Sequence, residues 1–163
     1  MPARLAAFVG RSGSGKTTFL VRLIPLFATR GLRVGSIKQT HHQVILDQPG
    51  KDSFRHRQAG AERAVILKDD ELALFAARPR DWGLAEIAAN LFPDFDWVLA
   101  EGFKKDPVPK VEIHRLATGQ APLYLDPSFQ IQALVSDQPP TIDIPHFGLD
   151  QVEEVSEWML RLP

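Results

Sequence analysis

A chain of 163 residues and 18.2 kDa has room for one domain with a substantial core but not for two, since domains ordinarily run roughly 100 to 150 residues. It contains no cysteine, which excludes disulfides, thiolate catalysis, iron–sulfur clusters and cysteine-held zinc, so any metal must be bound by oxygen or imidazole. The net charge of −1 conceals a gradient, because residues 1–63 carry 11 Lys and Arg against 3 Asp and Glu, whereas residues 116–163 carry 1 against 7.

A positive surface in the first part would attract a polyanionic nucleotide or pterin phosphate. The basic residues lack interleaved aromatics and any nucleic-acid motif, so neither DNA nor RNA is expected as a partner. No apolar run approaches the roughly 20 residues that span a bilayer, and the first residues read as a strand rather than an export signal. A soluble cytoplasmic protein without membrane contact is the expectation.

In chain order, Leu5 to Val9 is an apolar run sized for one buried strand, and Gly10 to Thr18 follow as Gly-Arg-Ser-Gly-Ser-Gly-Lys-Thr-Thr. Gly10, Gly15, Lys16 and Thr17 meet the phosphate-binding pattern G-x-x-x-x-G-K-[ST]. Glycines let the backbone take φ > 0 and wrap an anion closely, with N–H groups pointing inward. Lys16 brings a mobile positive charge to the β- and γ-phosphates, and the Thr17 hydroxyl is placed for Mg²⁺. The nucleotide-binding candidates on this loop are therefore Gly10, Ser12, Gly13, Ser14, Gly15, Lys16, Thr17 and Thr18, joined by Lys38 after the second strand. From Lys16 to Thr29, Phe19, Leu23 and Phe27, and likewise Leu20 and Ile24, recur at the helical period. Gly31 closes this helix, and Pro25 should kink its last turn.

A second strand is expected at Arg33 to Ile37, followed by an irregular polar stretch from Lys38 to Gly50. Lys51 to Gln58 reads as a short helix. Arg63 to Leu67 and Glu71 to Ala76 form an antiparallel hairpin across Lys68 to Asp70. Asp81 caps a helix whose Leu84, Ile87, Ala88 and Leu91 share a face, stopped before Pro93. Trp97 to Ala100 is a buried strand ending in Glu101-Gly102. Lys110 to Arg115 alternates Val111 and Ile113 with Glu112 and His114, which predicts a half-exposed strand and an edge through which two copies could pair. Ile131 to Val135 is a further strand, and Asp150 caps a last helix with Val152, Val155, Met159 and Leu162 inward. Alternating strands and helices give an α/β, P-loop NTPase-like architecture: a mostly parallel sheet flanked by helices, with an antiparallel hairpin or edge strands, in a single domain spanning 1–163.

P-loop proteins need a carboxylate at the end of a neighbouring apolar strand to serve Mg²⁺ or the attacking water. Glu101 stands there, and Gly102 lets the chain turn away from it. Lys38 and the loop after it lie where α/β sheets present functional loops. Adjacent His41 and His42 point to opposite sides of an extended chain and make a poor chelating pair. Asp47 either completes the Mg²⁺ shell or performs ordinary turn chemistry.

The P-loop, Lys38-x-Thr40-His41-His42, Asp47-x-Pro49-Gly50-Lys51-Asp52-Ser53, Ala59-Gly60-Ala61 and Glu101-Gly102-Phe103-Lys104, in that order, resemble the MobB family of molybdopterin-guanine dinucleotide biosynthesis proteins. The resemblance continues through Pro109-Lys110-Val111-Glu112 and Ser136-Asp137 to the Leu149-Asp150 helix. It implies a homodimeric GTP-binding adaptor in molybdenum cofactor biosynthesis, working beside MobA, the transferase that joins GMP to molybdopterin, with Mg²⁺ and at most slow GTP hydrolysis. Molybdopterin itself is a further candidate ligand. By position, Gly13 to Thr18 would grip the phosphates, Thr17 and Glu101 would serve Mg²⁺, Asp47 would sit in a nucleotide-sensitive loop, and Asp137 would accept hydrogen bonds from guanine. The chain lacks an Asn-Lys-x-Asp guanine signature, and Lys68 to Phe95 matches no family motif. Alternatives are a small-molecule kinase, for which Arg55, Arg57 and Arg63 are the central arginines, and a GTPase metallochaperone. No arginine finger is identifiable.

Overall fold

The computed structural model describes residues 2–40 and 43–162; the His41 and His42 expectation lies outside the described residues. The elements in order are β1 (Arg4–Val9), α1 (Lys16–Ala28), β2 (Val34–Lys38), α2 (Asp52–Gln58), β3 (Arg63–Lys68), β4 (Glu71–Ala76), α3 (Leu84–Leu91), β5 (Trp97–Glu101), β6 (Lys110–His114), β7 (Ile131–Ser136), β8 (His146–Phe147) and α4 (Val152–Leu160). They fall into two compact units, one up to Gln39 and from Gly83 onward, the other Thr40–Trp82.

The larger unit is a six-stranded sheet in the order β2-β5-β1-β6-β7-β8, every neighbouring pair parallel. Parallel strands need covered faces, and the side-chain period of two sorts residues between them. Ala6 and Phe8, Trp97 and Leu99, Val111 and Ile113, and Ala133 and Val135 join Phe19, Leu23 and Phe27 of α1 and Val155 and Met159 of α4 in one core. Phe27 meets Trp97 edge to face, ring centres 5.3 Å apart. The other face of β2 is approached so closely by Phe92 that a Cβ at Gly35 would sit 2.4 Å from its ring. Helix α1 continues through Pro25 to Ala28, and Gly31 turns left-handed just beyond it.

Strand β6 differs from expectation. It is central, paired with β1 on one side and β7 on the other, and all five residues are buried. Alternation of charged with apolar residues was compatible with a solvated face, but the charges have partners indoors. Both oxygens of fully buried Glu112 accept backbone N–H bonds, from Leu123 at 2.6 Å and Tyr124 at 2.9 Å. They satisfy the start of a 3₁₀ turn at Leu123–Leu125. Lys110 to Arg115 therefore offers no edge for dimerisation.

Two helix caps also move. Helix α3 starts after Gly83 rather than Asp81, because Glu86 accepts the Gly83 N–H at 2.9 Å and Asp106 accepts the Leu84 N–H at 2.7 Å. Its Leu91 is largely exposed. Helix α4 is preceded by Gln151, whereas Asp150 pairs with Arg22 at 2.9 Å, and Leu162 lies past the helix end. Strand β8, with two residues, was too short to leave a periodic signal.

The smaller unit holds α2 and the β3–β4 hairpin, whose register pairs Val65 with Leu74 and Leu67 with Leu72.

Candidate functional site

In a parallel sheet all loops after the strands gather at one edge, which is where α/β proteins bind ligands. Here the loop after β1, the exits of β5 and β6, and Asp137 after β7 share that edge. The β1 loop takes φ of 149° at Gly10, 76° at Gly13 and 94° at Gly15. Gly10 is sterically required, since a Cβ there would lie 2.2 Å from the Ile113 carbonyl oxygen. Helix α1 begins after Gly15 with no side-chain cap. Its first N–H groups are thus left for an anion, to which the helix presents its positive end.

Lys16 Nζ donates to the Arg11 carbonyl at 2.8 Å and so bridges the loop. Burial pushes the Lys16 ammonium below the ordinary lysine value; Glu101 opposes this, while Lys104 and Lys38 add to it. A bound phosphate would remove the tension by supplying negative charge. Ser14 is fully buried and its hydroxyl has no hydrogen-bond partner among the described residues, although buried polar groups nearly always have one. An uncapped helix start, left-handed glycines and an orphan hydroxyl fit a phosphate ligand.

The carboxylate expected at the end of the apolar strand is in position. Thr17 Oγ1 donates to Glu101 Oε2 at 2.7 Å, and Lys38 Nζ lies 3.3 Å from Glu101 Oε1 and 3.4 Å from Thr17 Oγ1. Two hard oxygen donors side by side, already attended by a cation, suit Mg²⁺. Gly102 makes this possible: φ of 103°, its N–H on the Phe8 carbonyl at 3.0 Å, and a left-handed Phe103 whose N–H meets Gln39 Oε1 at 3.0 Å together pin the exit of β5. Among the described residues no group of three His, Asp or Glu could hold a metal by itself, so a metal here would need phosphate oxygens and water to complete its shell.

Asp137 follows β7, exposed, with Oδ1 accepting the Leu116 N–H at 2.9 Å. Asp47 belongs to the smaller unit, buried, accepting from Ser53 at 2.8 Å and from Arg57 at 3.2 Å. It ties the loop before α2 to that helix. Ser12, Gly13, Thr17 and Thr18 are exposed on the loop and the first turn of α1.

Two cations escaped the sequence reading. Lys104 stood inside a motif without a role; burial, then Arg11, holds its ammonium below the ordinary value, opposed by Glu112. Arg115 was assigned to a strand, but the strand ends at His114, which frees Arg115 to turn over the β1 loop.

The family described as Molybdopterin guanine dinucleotide synthesis protein B matches residues 5–137. The molybdopterin-guanine dinucleotide biosynthesis adapter protein of Escherichia coli (strain K12) is 36% identical over 164 residues, covering 96% of this chain and 94% of the relative. Its Haemophilus influenzae counterpart is 32% identical over 156 residues, covering 95% and 86%. Among solved structures, a molybdopterin-guanine biosynthesis protein B superposes with a TM-score of 0.78 at 28% identity over 98% of this chain and 99% of that one. Bacillus subtilis MobB gives 0.72 at 28% identity over 100% and 99%.

Proposed function

We propose, from the premise that this chain belongs to the molybdopterin guanine dinucleotide synthesis protein B (MobB) family of biosynthesis adapter proteins, that it binds GTP with Mg²⁺ and presents it beside a MobA-type guanylyltransferase. Support comes from one arrangement, the uncapped, glycine-lined start of α1 with Lys16 over it and the Thr17–Glu101 pair alongside. Thr17 and Glu101 would hold Mg²⁺, which when bound neutralises phosphate charge. Lys16 supplies charge to the phosphates, and the Glu101 carboxylate, held between Thr17 and Lys38, would serve the metal or its water. Asp137 is the candidate acceptor for guanine. Such a protein works in the cytoplasm, and among the described residues no helix is long and apolar enough to cross a membrane.

Hydrolysis would be slow. Lys38 already pairs with the Glu101 carboxylate at 3.3 Å, which leaves that group less available to activate water. A homodimer belongs to the same proposal, and the β3–β4 hairpin supplies the apolar surface for it. Molybdopterin as a direct ligand finds a reason in the cations Arg11 and Lys104 beside the loop, which suit an additional phosphate.

Titration calorimetry with GTP and Mg²⁺ tests the nucleotide function. Lys16→Ala should abolish measurable affinity while leaving the thermal unfolding midpoint nearly unchanged, because the one hydrogen bond of its ammonium among the described residues goes to the loop backbone at Arg11. Unchanged GTP binding in that variant would refute it.

A further inference from the structure

Strands β5 and β6 flank β1 on opposite sides, so Glu101 and Arg115 leave the sheet on opposite sides of the phosphate loop. The Glu101 side gathers Thr17 and Lys38 and is fitted for a metal and the outer phosphates. On the other side the Arg115 guanidinium lies against the start of α1: a Cβ on Gly15 would meet its Nε and Nη2 at 3.3 Å. Ser14, Gly15, Thr18, Ile113, Arg115 and Leu149 line a shallow depression there. Ser14, one of the residues lining it, is itself fully buried, and its hydroxyl has no partner among the described residues.

Electrostatics make this arrangement incomplete. Neighbouring Arg22 is neutralised by Asp150 at 2.9 Å, but among the described residues Arg115 forms no ion pair. A guanidinium beside a helix N-terminus sets positive charge against the positive end of the dipole. An anion held between them turns that repulsion into two attractions, and the planar donor fork of arginine matches phosphate oxygens.

We propose that Arg115 is a nucleotide-binding residue, gripping the phosphates nearer the nucleoside from the side of the loop opposite Glu101. The proposal rests on the GTP-binding function above and adds a residue that the phosphate-loop pattern does not contain. Lys16 and Thr17 serve the outer phosphates and metal, and Arg115 secures the inner end of the chain, where it holds the ligand rather than the reacting phosphorus.

The test compares wild type, Arg115→Ala and Arg115→Lys, full length, by calorimetry with GDP and GTP in Mg²⁺, and by single-turnover hydrolysis at saturating GTP. Arg115→Ala should weaken both nucleotides by about tenfold or more, the effect of losing a charge-assisted hydrogen bond. Arg115→Lys should recover part of that loss. Equal affinities in Arg115→Ala and wild type would overturn the proposal. So would a slowed hydrolysis at saturation with unaltered affinity, which would put the arginine on the transferring phosphate. Because the side chain is exposed and unpaired, the variants should melt with wild type. A wild-type protein that binds no GTP would instead sink the parent function and leave Arg115 without a ligand.

Discussion

At the scale of single residues, Lys16 reports on the site most directly. Its ammonium is held below the ordinary value of 10.5 by burial first, against the attraction of Glu101. Phosphate stabilises the charged form and raises the value again. Between the lowered value of the free protein and 10.5, binding must therefore take up protons, and affinity must fall as pH rises through that window. Calorimetry of GTP binding at alkaline pH in two buffers of different ionisation enthalpy measures the uptake; an absence of linked protons there would show that Lys16 does not meet phosphate. Glycine illustrates the same scale differently. Gly10 is fixed by a carbonyl 2.2 Å from any added Cβ and by its left-handed backbone, so its identity follows from sterics as well as ligand binding.

At the scale of elements, β6 explains why a pattern misled. Lys110, Glu112 and His114 alternate with Val111 and Ile113, as they would on a strand with one wet face, yet all are buried. The cost of burying a carboxylate is offset because Glu112 accepts two backbone N–H bonds from a 3₁₀ turn that would otherwise begin unsatisfied. Removing it strands one buried and one part-buried donor. Glu112→Ala should destabilise the fold by about 3 kcal/mol, at about 1–3 kcal/mol per orphaned donor, and Glu112→Gln, which keeps one acceptor oxygen, by less. Urea unfolding of the three proteins checks the order; an unshifted midpoint for Glu112→Ala would mean that water replaces the carboxylate freely. Helix α3 teaches a related lesson. Asp81 had the right side chain for a cap, but the acceptors came from Glu86 within the helix and Asp106, distant in sequence.

At the scale of the whole molecule, the hairpin of the smaller unit is an exposed apolar feature. Its register places Val65, Leu67, Leu72 and Leu74 on one face, and they are 51%, 72%, 67% and 42% exposed. An isolated two-stranded sheet is marginal in water, and a continuous apolar face ordinarily finds a partner. This face is where a second copy should bury area. Sedimentation velocity should show a dimer for the wild type and a monomer for the Leu67→Lys, Leu72→Lys double variant. A variant that sediments as the wild type does would move the contact elsewhere.

Much of the site was legible in the sequence because it is local. Gly10 to Thr18 are contiguous, and a phosphate loop is built from backbone that glycine spacing specifies directly. The hairpin was legible too, since its register depends only on the few residues of the turn. Glu101 could be found at a distance because an apolar strand ending in a carboxylate has its own local signature. Tertiary structure alone decided which strands lie inside the sheet, where Glu112 and Asp106 find their donors, and that Arg115 turns toward the start of α1. Those facts depend on groups far apart in sequence meeting in space, and no local pattern encodes a partner that another element supplies.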